Sequence, residues 1–231
     1  MNFRYLIFLG GIVSVSLFLT FCKSSGSVIS PFESIQAPDD NPTTEAKIAL
    51  GRSLFFDTRL SRNNTISCST CHKPGLAFTD RLPKSIGIDG RKTDRNSPSL
   101  LNAGYLPTVM FDAHLETLEK QAIVPIQEHV EMDMNMKTLL AKLREIPEYQ
   151  KAAKDIFDRD FDAWVLTRSL SAFQRSLISD NSDFDQFYYH SKKNALSKAE
   201  KRGWIIFSEK LYCTECHAPP YFTNYQPINN G

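Results

Sequence analysis

The sequence has no excess of charge of either sign. Its 231 residues include 27 Lys and Arg against 26 Asp and Glu, which gives a formal net charge of +1 at pH 7. Proteins that bind nucleic acids or other polyanions usually carry a basic surface, because phosphate contacts depend on clustered Lys and Arg. We therefore expect no nucleic acid partner.

The sequence also lacks a hydrophobic run that is clearly long enough to span a bilayer. The apolar stretch over residues 5–21 would be about 25 Å long as a helix, against about 30 Å for the hydrocarbon core. Arg4 is the only charged residue in the first 21. These features predict a secretory signal over residues 1–21. An uncleaved N-terminal anchor is the alternative, and both place the rest of the chain outside the cytoplasm.

Residues 22–43 contain little that favours regular structure. They are rich in Ser, Pro and Asp and show no helical periodicity, which predicts a flexible tether. Residues 19–22 resemble a relaxed lipobox, in which Cys22 becomes the lipidated N-terminus, although Phe21 is larger than the residue usual there. The sequence thus predicts a periplasmic lipoprotein held at a membrane through Cys22.

No segment shows the strict alternation of apolar and polar residues that is typical of a β-strand. Apolar residues recur instead at helical spacing over residues 136–146, which stop before Pro147, and over residues 161–178. Residues 46–55 and 199–207 also have amphipathic helical patterns, and a capping box precedes the second. We expect an all-α protein with long irregular loops.

Cysteine is scarce, and four of the five cysteines lie in two copies of one pentapeptide. C-x-x-C-H occurs at residues 68–72 and again at residues 213–217. This motif is the attachment signature of c-type haem, in which two thiols bind the porphyrin and the histidine binds the iron. The predicted haem-binding residues are Cys68, Cys71, His72, Cys213, Cys216 and His217.

A redox dithiol or half of a zinc site is the alternative interpretation of each C-x-x-C. A zinc ion needs four ligands close together, whereas these two pairs lie far apart in the sequence and each has its own histidine. A redox dithiol needs neither the histidine nor a second copy. Two covalently bound c-type haems are therefore the expected cofactors.

The segments around the two motifs are similar. Gly51 and Phe55 precede the first motif, and Gly203 and Phe207 precede the second at the same four-residue offset. Each haem histidine is followed by a proline and then by Phe-Thr. An internal repeat of this kind implies two related cytochrome c-like units in tandem.

The repeat predicts a division into two domains. Residues 44–180 would form the N-terminal domain and residues 181–231 the start of a C-terminal domain. The second unit is expected to be incomplete, because only 14 residues follow His217. A fragment of a longer protein and an interrupted gene are both consistent with this.

Several further motifs carry a family resemblance. Together with the two haem motifs, residues 51–62, 85–98, 118–125, 130–132 and 194–203 resemble the bacterial di-haem cytochrome c peroxidases, a family that includes the MauG-like proteins. The resemblance implies that the haem of His72 reacts with hydrogen peroxide. It also implies that the haem of His217 receives electrons from a small cytochrome or cupredoxin.

The resemblance also implies roles for three residues outside the haem motifs. Glu131 corresponds to the distal glutamate and Gln121 to the distal glutamine, while Asn96 corresponds to a residue that helps to hold calcium between the haems. A carboxylate beside an open iron site can move a proton between the two peroxide oxygens. By pattern alone, Glu131 and Gln121 would be surface residues and Asn96 a turn former.

The chain departs from the family pattern at three places. Ile88 stands where many members have a distal histidine that binds iron, which predicts an open peroxidatic haem. Phe111 stands at the inter-haem tryptophan, which makes hole transfer through that position doubtful because phenylalanine is hard to oxidise. The sixth ligand of the second haem and the remaining calcium ligands would lie beyond residue 231.

Other residues of ligand type have simpler interpretations. The methionines that could offer a thioether to iron are more often core filling, and the remaining histidines are expected on the surface or in loops. These residues are Met132, Met134, Met136, His114, His129 and His190.

The sequence thus predicts a periplasmic peroxidase that reduces hydrogen peroxide to water. A MauG-like oxidase acting on a partner protein and a non-catalytic electron-transfer cytochrome are the alternatives. Family members are commonly dimers, so a homodimer is also expected from the resemblance, although no interface pattern is visible in the sequence.

Overall fold

The structure is a computed structural model that describes residues 35–229. The predicted signal and Cys22 lie outside these residues. Within them there is no strand, only three isolated β-bridges, which confirms the all-α class. No helix in the described range is both long and apolar enough to cross a membrane.

Nine α-helices follow one another along the described chain. In order they are α1 Glu45–Phe55, α2 Cys68–Cys71, α3 Leu118–Gln121, α4 Ile123–Gln127, α5 Met136–Arg144, α6 Pro147–Phe157, α7 Ala163–Arg175, α8 Asp183–Tyr188 and α9 Lys198–Ile205. A single π-helical turn, Ile206–Lys210, continues α9. Irregular loops and short 3₁₀ turns connect the helices, as expected from the sequence.

Helix α1 begins at a conventional N-cap and buries one face. The side chain of Thr44 accepts a hydrogen bond from the backbone N–H of Lys47, and Glu45 places a negative charge in the first turn, where the helix dipole favours it. Its buried residues recur at helical spacing, and Leu54 and Phe55 are almost fully enclosed. This face packs against α7.

Helix α7 supplies the other half of the core. Asp162 caps it by accepting a hydrogen bond from Val165 at 3.0 Å. Val165, Leu166 and Leu170 are buried along one side, as the pattern over residues 161–178 predicts. The helix is shorter than that pattern at both ends, because capping at Asp162 begins it and Ser176 ends it.

Gly51 sets the distance between α1 and α7. A Cβ atom added there would lie 1.9 Å from the carbonyl oxygen of Ser169 and 2.9 Å from the Cβ of Phe173. No side chain fits at this position. Gly203 occupies the corresponding position of the repeat, yet a Cβ added there would meet nothing within 4 Å. The two glycines therefore have the same place in the sequence pattern and different packing.

The region after α5 differs from the sequence expectation. The helix predicted over residues 136–146 is α5, which Asn135 caps by accepting hydrogen bonds from the backbone N–H groups of Lys137 and Thr138. Pro147 was expected only to end that helix. It also begins α6, because proline at the first helical position loses no hydrogen bond. Tyr149 and Ala153 anchor α6 in the core.

The last residues of the predicted tether pack into the folded body. Asn41 is completely buried and donates to the carboxylate of Glu119 at 2.6 Å, while the ammonium group of Lys47 donates to its amide oxygen at 3.1 Å. Arg175 forms a buried ion pair with the same Glu119 oxygen at 2.6 Å. Burial raises the pKa of Glu119, but the hydrogen bonds from Arg175 and Asn41 outweigh it and hold the pKa below its usual value. The flexible segment predicted over 22–43 therefore does not extend to residue 43.

The two glycines of the repeat make a matched test of this packing. We expect Gly51→Ala to lower the free energy of unfolding by about 1–3 kcal/mol, because the new methyl group must push α1 away from α7. Gly203→Ala has open space and should be neutral or stabilise α9 by up to about 1 kcal/mol. Urea denaturation of both variants measures the difference, and equal effects would contradict the packing described.

Candidate functional site

The first C-x-x-C-H motif forms a single helical turn, α2. The backbone N–H of Ser67 donates to the hydroxyl of Thr70 at 3.0 Å, which closes the start of the turn. The backbone N–H of His72 donates to the carbonyl oxygen of Cys68 at 2.9 Å, which closes its end. Both thiols are free, and the three-residue spacing puts them one turn apart on the same side.

His72 is held by two backbone carbonyls. Its Nδ1 lies 2.9 Å from the oxygen of Phe78 and 3.1 Å from the oxygen of Pro98. Carbonyl oxygens only accept hydrogen bonds, so Nδ1 carries the hydrogen and Nε2 keeps a free lone pair. Burial lowers the pKa of His72 and so favours this neutral form. A histidine in this state is suited to bind iron through Nε2.

An aromatic cluster fixes the carbonyl that holds His72. The ring of Phe78 packs at 6.1 Å from that of Phe55 and at 6.4 Å from that of Phe173, and the last two rings lie 5.0 Å apart. Phe78 itself has a positive φ of 57°. The cluster links His72, through the carbonyl of Phe78, to the α1–α7 core.

The second motif repeats this arrangement. The N–H of His217 donates to the carbonyl oxygen of Cys213 at 2.8 Å, and its Nδ1 lies 3.1 Å from the oxygen of Phe222. Phe222 has a positive φ of 54°, and its ring lies 6.1 Å from that of Phe207. The Phe-Thr pair that follows each histidine in the sequence is thus the element that orients the histidine. His217 is more exposed than His72.

Glu131 lies on a loop that interlocks with the loop of Ile88. The backbone N–H of Ile88 donates to the carbonyl oxygen of Glu131 at 2.8 Å. A Cβ added to the preceding residue, Gly87, would lie only 2.0 Å from the oxygen of Val130. Ile88 is completely buried. The structure therefore brings together two of the residues that the sequence assigned to the distal side.

The electrostatics place Glu131 near the thiols of the first motif. Burial raises the pKa of Cys68 to about 12, and the charges of Cys71 and Glu131 contribute to this rise. Burial, followed by repulsion from Glu128, also raises the pKa of Glu131 above its usual value. A carboxyl group of this kind can hold and release a proton at a higher pH than a free one.

Within the described residues, the structure does not join Gln121 to Glu131 by a hydrogen bond, and it leaves Asn96 exposed. Gln121 ends α3 and is half-buried, and no hydrogen bond within residues 35–229 joins it to Glu131. Asn96 is exposed. The described part of the chain holds no group of three or more His, Cys, Asp or Glu side chains arranged to hold a metal ion. The roles assigned to both residues stay predictions.

The remaining residues of ligand type lie as the simpler interpretation predicts. Met132 and Met134 are buried in the core, and Met136 packs against it. His114 and His129 are exposed beside Asp112 and Glu128. His190 lies in the loop after α8.

Phe111 lies at the tip of an exposed turn. Its side chain is 80% exposed, and the guanidinium group of Arg95 lies 3.9 Å from the centre of its ring. A ring in this position is directed to solvent.

The comparisons with known proteins identify the family. The family described as "Di-haem cytochrome c peroxidase" matches residues 45–193. The chain belongs to this family. The methylamine utilization protein MauG of Methylorubrum extorquens is 35% identical over 194 residues, which are 83% of this chain and 55% of that protein. The cytochrome c551 peroxidase of Pseudomonas aeruginosa is 35% identical over 181 residues, 76% of this chain and 51% of that protein.

Solved structures of the family have the same fold. A MauG-like protein associated with microbial copper homeostasis superposes with a TM-score of 0.75 at 33% identity, over 86% of this chain and 60% of that one. The di-haem peroxidase BthA of Burkholderia thailandensis superposes with a TM-score of 0.70 at 25% identity, over 83% of this chain and 54% of that one. The chain therefore spans about half the length of the relatives it matches.

The residues of this di-haem peroxidase chain fit the cofactor of the family. At each motif the histidine is tied through Nδ1 to a backbone carbonyl, which leaves Nε2 to bind iron. Cys68 of the first motif packs against the main hydrophobic core, as do the partly buried side chains of Ile66, Phe78 and Leu100. The sequence indicated the cysteines and histidines, but it could not indicate Pro98, which acts through its backbone.

Removing the charge of Glu128 tests the electrostatics of the site. In Glu128→Gln we expect the pKa of Glu131 to fall toward its usual value, because the repulsion from the Glu128 carboxylate is removed. Burial should still keep this pKa above the usual value. Glu116→Gln, which removes an exposed carboxylate paired with Lys120, is the control and should leave it unchanged. Difference infrared titration, with Glu131→Gln to identify the band, measures the shift. An unchanged pKa in Glu128→Gln would contradict this account.

Proposed function

We propose that this chain is the peroxide-reducing part of a di-haem cytochrome c peroxidase and reduces hydrogen peroxide to water. Two haems would be attached covalently, one to Cys68 and Cys71 and one to the corresponding pair of the second motif. One observation supports this above the others. His72, whose Nδ1 is bound by backbone carbonyls, follows the turn of Cys68 and Cys71, and the half-buried carboxyl group of Glu131 lies close enough to both thiols to raise their pKa values.

The proposed chemistry divides between cofactor and protein. Haem, when bound, supplies the iron at which peroxide is reduced. His72 would bind that iron through Nε2, because its Nδ1 is held by backbone carbonyls. Glu131 accepts a proton from one peroxide oxygen and returns it to the other, for which a raised pKa is useful. Gln121 is proposed to assist by hydrogen bonding to peroxide.

The second haem is proposed to receive electrons from a small redox protein, a cytochrome or a cupredoxin. Cys216 and His217 are both exposed, so a donor can approach this motif closely. The formal net charge of the chain, only +1, gives no preference for a strongly charged donor. Nucleic acid has no part in this proposal.

Several further properties are proposed on the sequence and the family alone. The chain would act in the periplasm, tethered through a lipid on Cys22. Asn96, whose side chain is exposed, would contribute one oxygen ligand to a calcium ion. A homodimer is proposed only because it is usual in the family.

A MauG-like oxidase that acts on a partner protein is the second candidate. Ile88 favours it as much as it favours a peroxidase, because both need an open iron site. Phe111 argues against it, since its exposed ring offers a poor path for electrons taken from a distant partner. A plain electron carrier is the third candidate, and it would have no use for Glu131.

Replacing Glu131 tests the peroxidase directly. We expect Glu131→Gln to slow the reaction of the first haem with peroxide by about two to four orders of magnitude, since the amide cannot move the proton. Stopped-flow absorbance at equal haem content measures the rate, with Glu116→Gln as the control. If peroxide reacts equally fast with Glu131→Gln and the parent, the proposed role is wrong. If it reacts with neither, the electron carrier is favoured.

Ile88 predicts the spin state of the first haem. A side chain that cannot bind iron leaves the oxidised haem high-spin without prior reduction, whereas Ile88→His should convert part or all of it to low-spin. Electron paramagnetic resonance of the oxidised protein distinguishes the two. A first haem that is entirely low-spin in the parent protein would contradict the open site.

A further inference from the structure

Two tyrosines from the two halves of the repeat stack on each other. The ring centres of Tyr105 and Tyr221 lie 4.6 Å apart, with the ring planes inclined by 28°. Tyr105 ends the 3₁₀ turn Ala103–Tyr105 of the N-terminal unit, and Tyr221 lies four residues after His217. The pair is therefore a direct contact between the segments that follow the two haem motifs.

Tyr105 lies on a segment that also reaches the first haem histidine. The chain runs from Pro98, whose carbonyl accepts the hydrogen bond of His72, to Tyr105 in seven residues. Asn102 fixes this segment, because its backbone N–H donates to the carbonyl oxygen of Leu177. Its side-chain amide also donates to the carbonyl oxygen of Ser179 and accepts from the backbone N–H of Ser179, each at 2.8 Å. The position of the Tyr105 ring is thus tied to both the first site and the end of α7.

Tyr221 is connected even more closely to the second site. Its chain neighbour Phe222 is the residue whose carbonyl accepts the hydrogen bond of His217. The backbone N–H of Thr223 donates to the carbonyl of Ala218 at 3.2 Å, which closes this loop on the motif. Tyr221 therefore lies on the loop that orients His217, and Tyr105 lies seven residues after the carbonyl that holds His72.

The ring at the family's inter-haem position lies elsewhere. Phe111 is directed to solvent and is covered by the positive charge of Arg95, which makes the removal of an electron still harder. A phenol ring gives up an electron far more readily than a benzene ring does. The stacked tyrosines are thus the oxidisable aromatic contact between the two haem-binding segments that the described residues provide.

We propose that Tyr105 and Tyr221 relay electrons between the two haem sites, an inference that rests on the proposed peroxidase function. Tyr105, which is only partly buried, gives one electron to the first site after peroxide has oxidised it and releases its phenolic proton to solvent. Tyr105 then takes an electron from Tyr221 and a proton from water. Tyr221 is restored in the same way by the second site.

The overall reaction balances without change to either tyrosine. Peroxide is the oxidant and takes two electrons and two protons to give two molecules of water. The small redox protein is the reductant and supplies both electrons through the second site. The relay operates twice in each turnover, and each tyrosine returns to its original state.

Phenylalanine variants separate electron transfer from packing. Tyr105→Phe and Tyr221→Phe keep the stacked rings and remove the readily oxidised phenol. The control is Tyr188→Phe, whose exposed ring packs with Phe184 and Trp204 and does not stack on either relay tyrosine. All variants are prepared with both haems and with the second haem reduced, and are mixed with one equivalent of peroxide.

Two readouts are followed. Absorbance resolves the oxidation of the first haem from that of the second, and rapid-freeze electron paramagnetic resonance, with ring-deuterated tyrosine, detects a tyrosyl radical. In the two relay variants we expect oxidation of the second haem to be slowed by roughly tenfold or more, with the first step unchanged. The tyrosyl signal should be lost or much reduced, and Tyr188→Phe should behave as the parent.

The outcomes distinguish the relay from the function on which it rests. If the first haem reacts with peroxide and both relay variants oxidise the second haem at the parent rate, the relay is wrong and the peroxidase proposal stands. If the first haem of the parent does not react with peroxide, both proposals are wrong. If Tyr188→Phe slows the transfer as much as the relay variants do, the effect is structural and the relay is again wrong.

Discussion

The close approach of Gly51 to the carbonyl oxygen of Ser169 is the constraint on which the geometry around His72 depends. Because Gly51 has no Cβ atom, α1 and α7 can approach closely enough for Phe55 and Phe173 to meet across the interface. Both rings then pack against Phe78, whose carbonyl orients His72. Backbone packing at one glycine is thereby transmitted, through three aromatic rings, to the tautomer of His72.

Much of this molecule could be predicted from local sequence. The C-x-x-C-H motifs, the all-α class and the helices α1, α5, α7 and α9 depend on spacing within a few residues, and spacing is visible in a sequence. The repeated Gly, Phe and Phe-Thr positions also predicted that the two units are related. The shared geometry of His72 and His217 agrees with that relation.

What could not be predicted depends on contacts between distant segments or on backbone atoms. The carbonyl of Pro98 has no signature in the side chains, and the burial of Asn41 depends on Glu119, 78 residues away. The two glycines of the repeat show the same limit. Their sequence contexts are alike, yet one is pressed against a neighbouring helix and the other has open space beside it.

The buried network around Asn41 determines how the body responds to a pull from its N-terminal side. Lys47 of α1, Glu119 of α3 and Arg175 of α7 all converge on this short segment, and the charged side chains among them are costly to separate in the interior. Tension applied to the chain before Pro38 would thus be transmitted to three helices together before it reached the loops around His72.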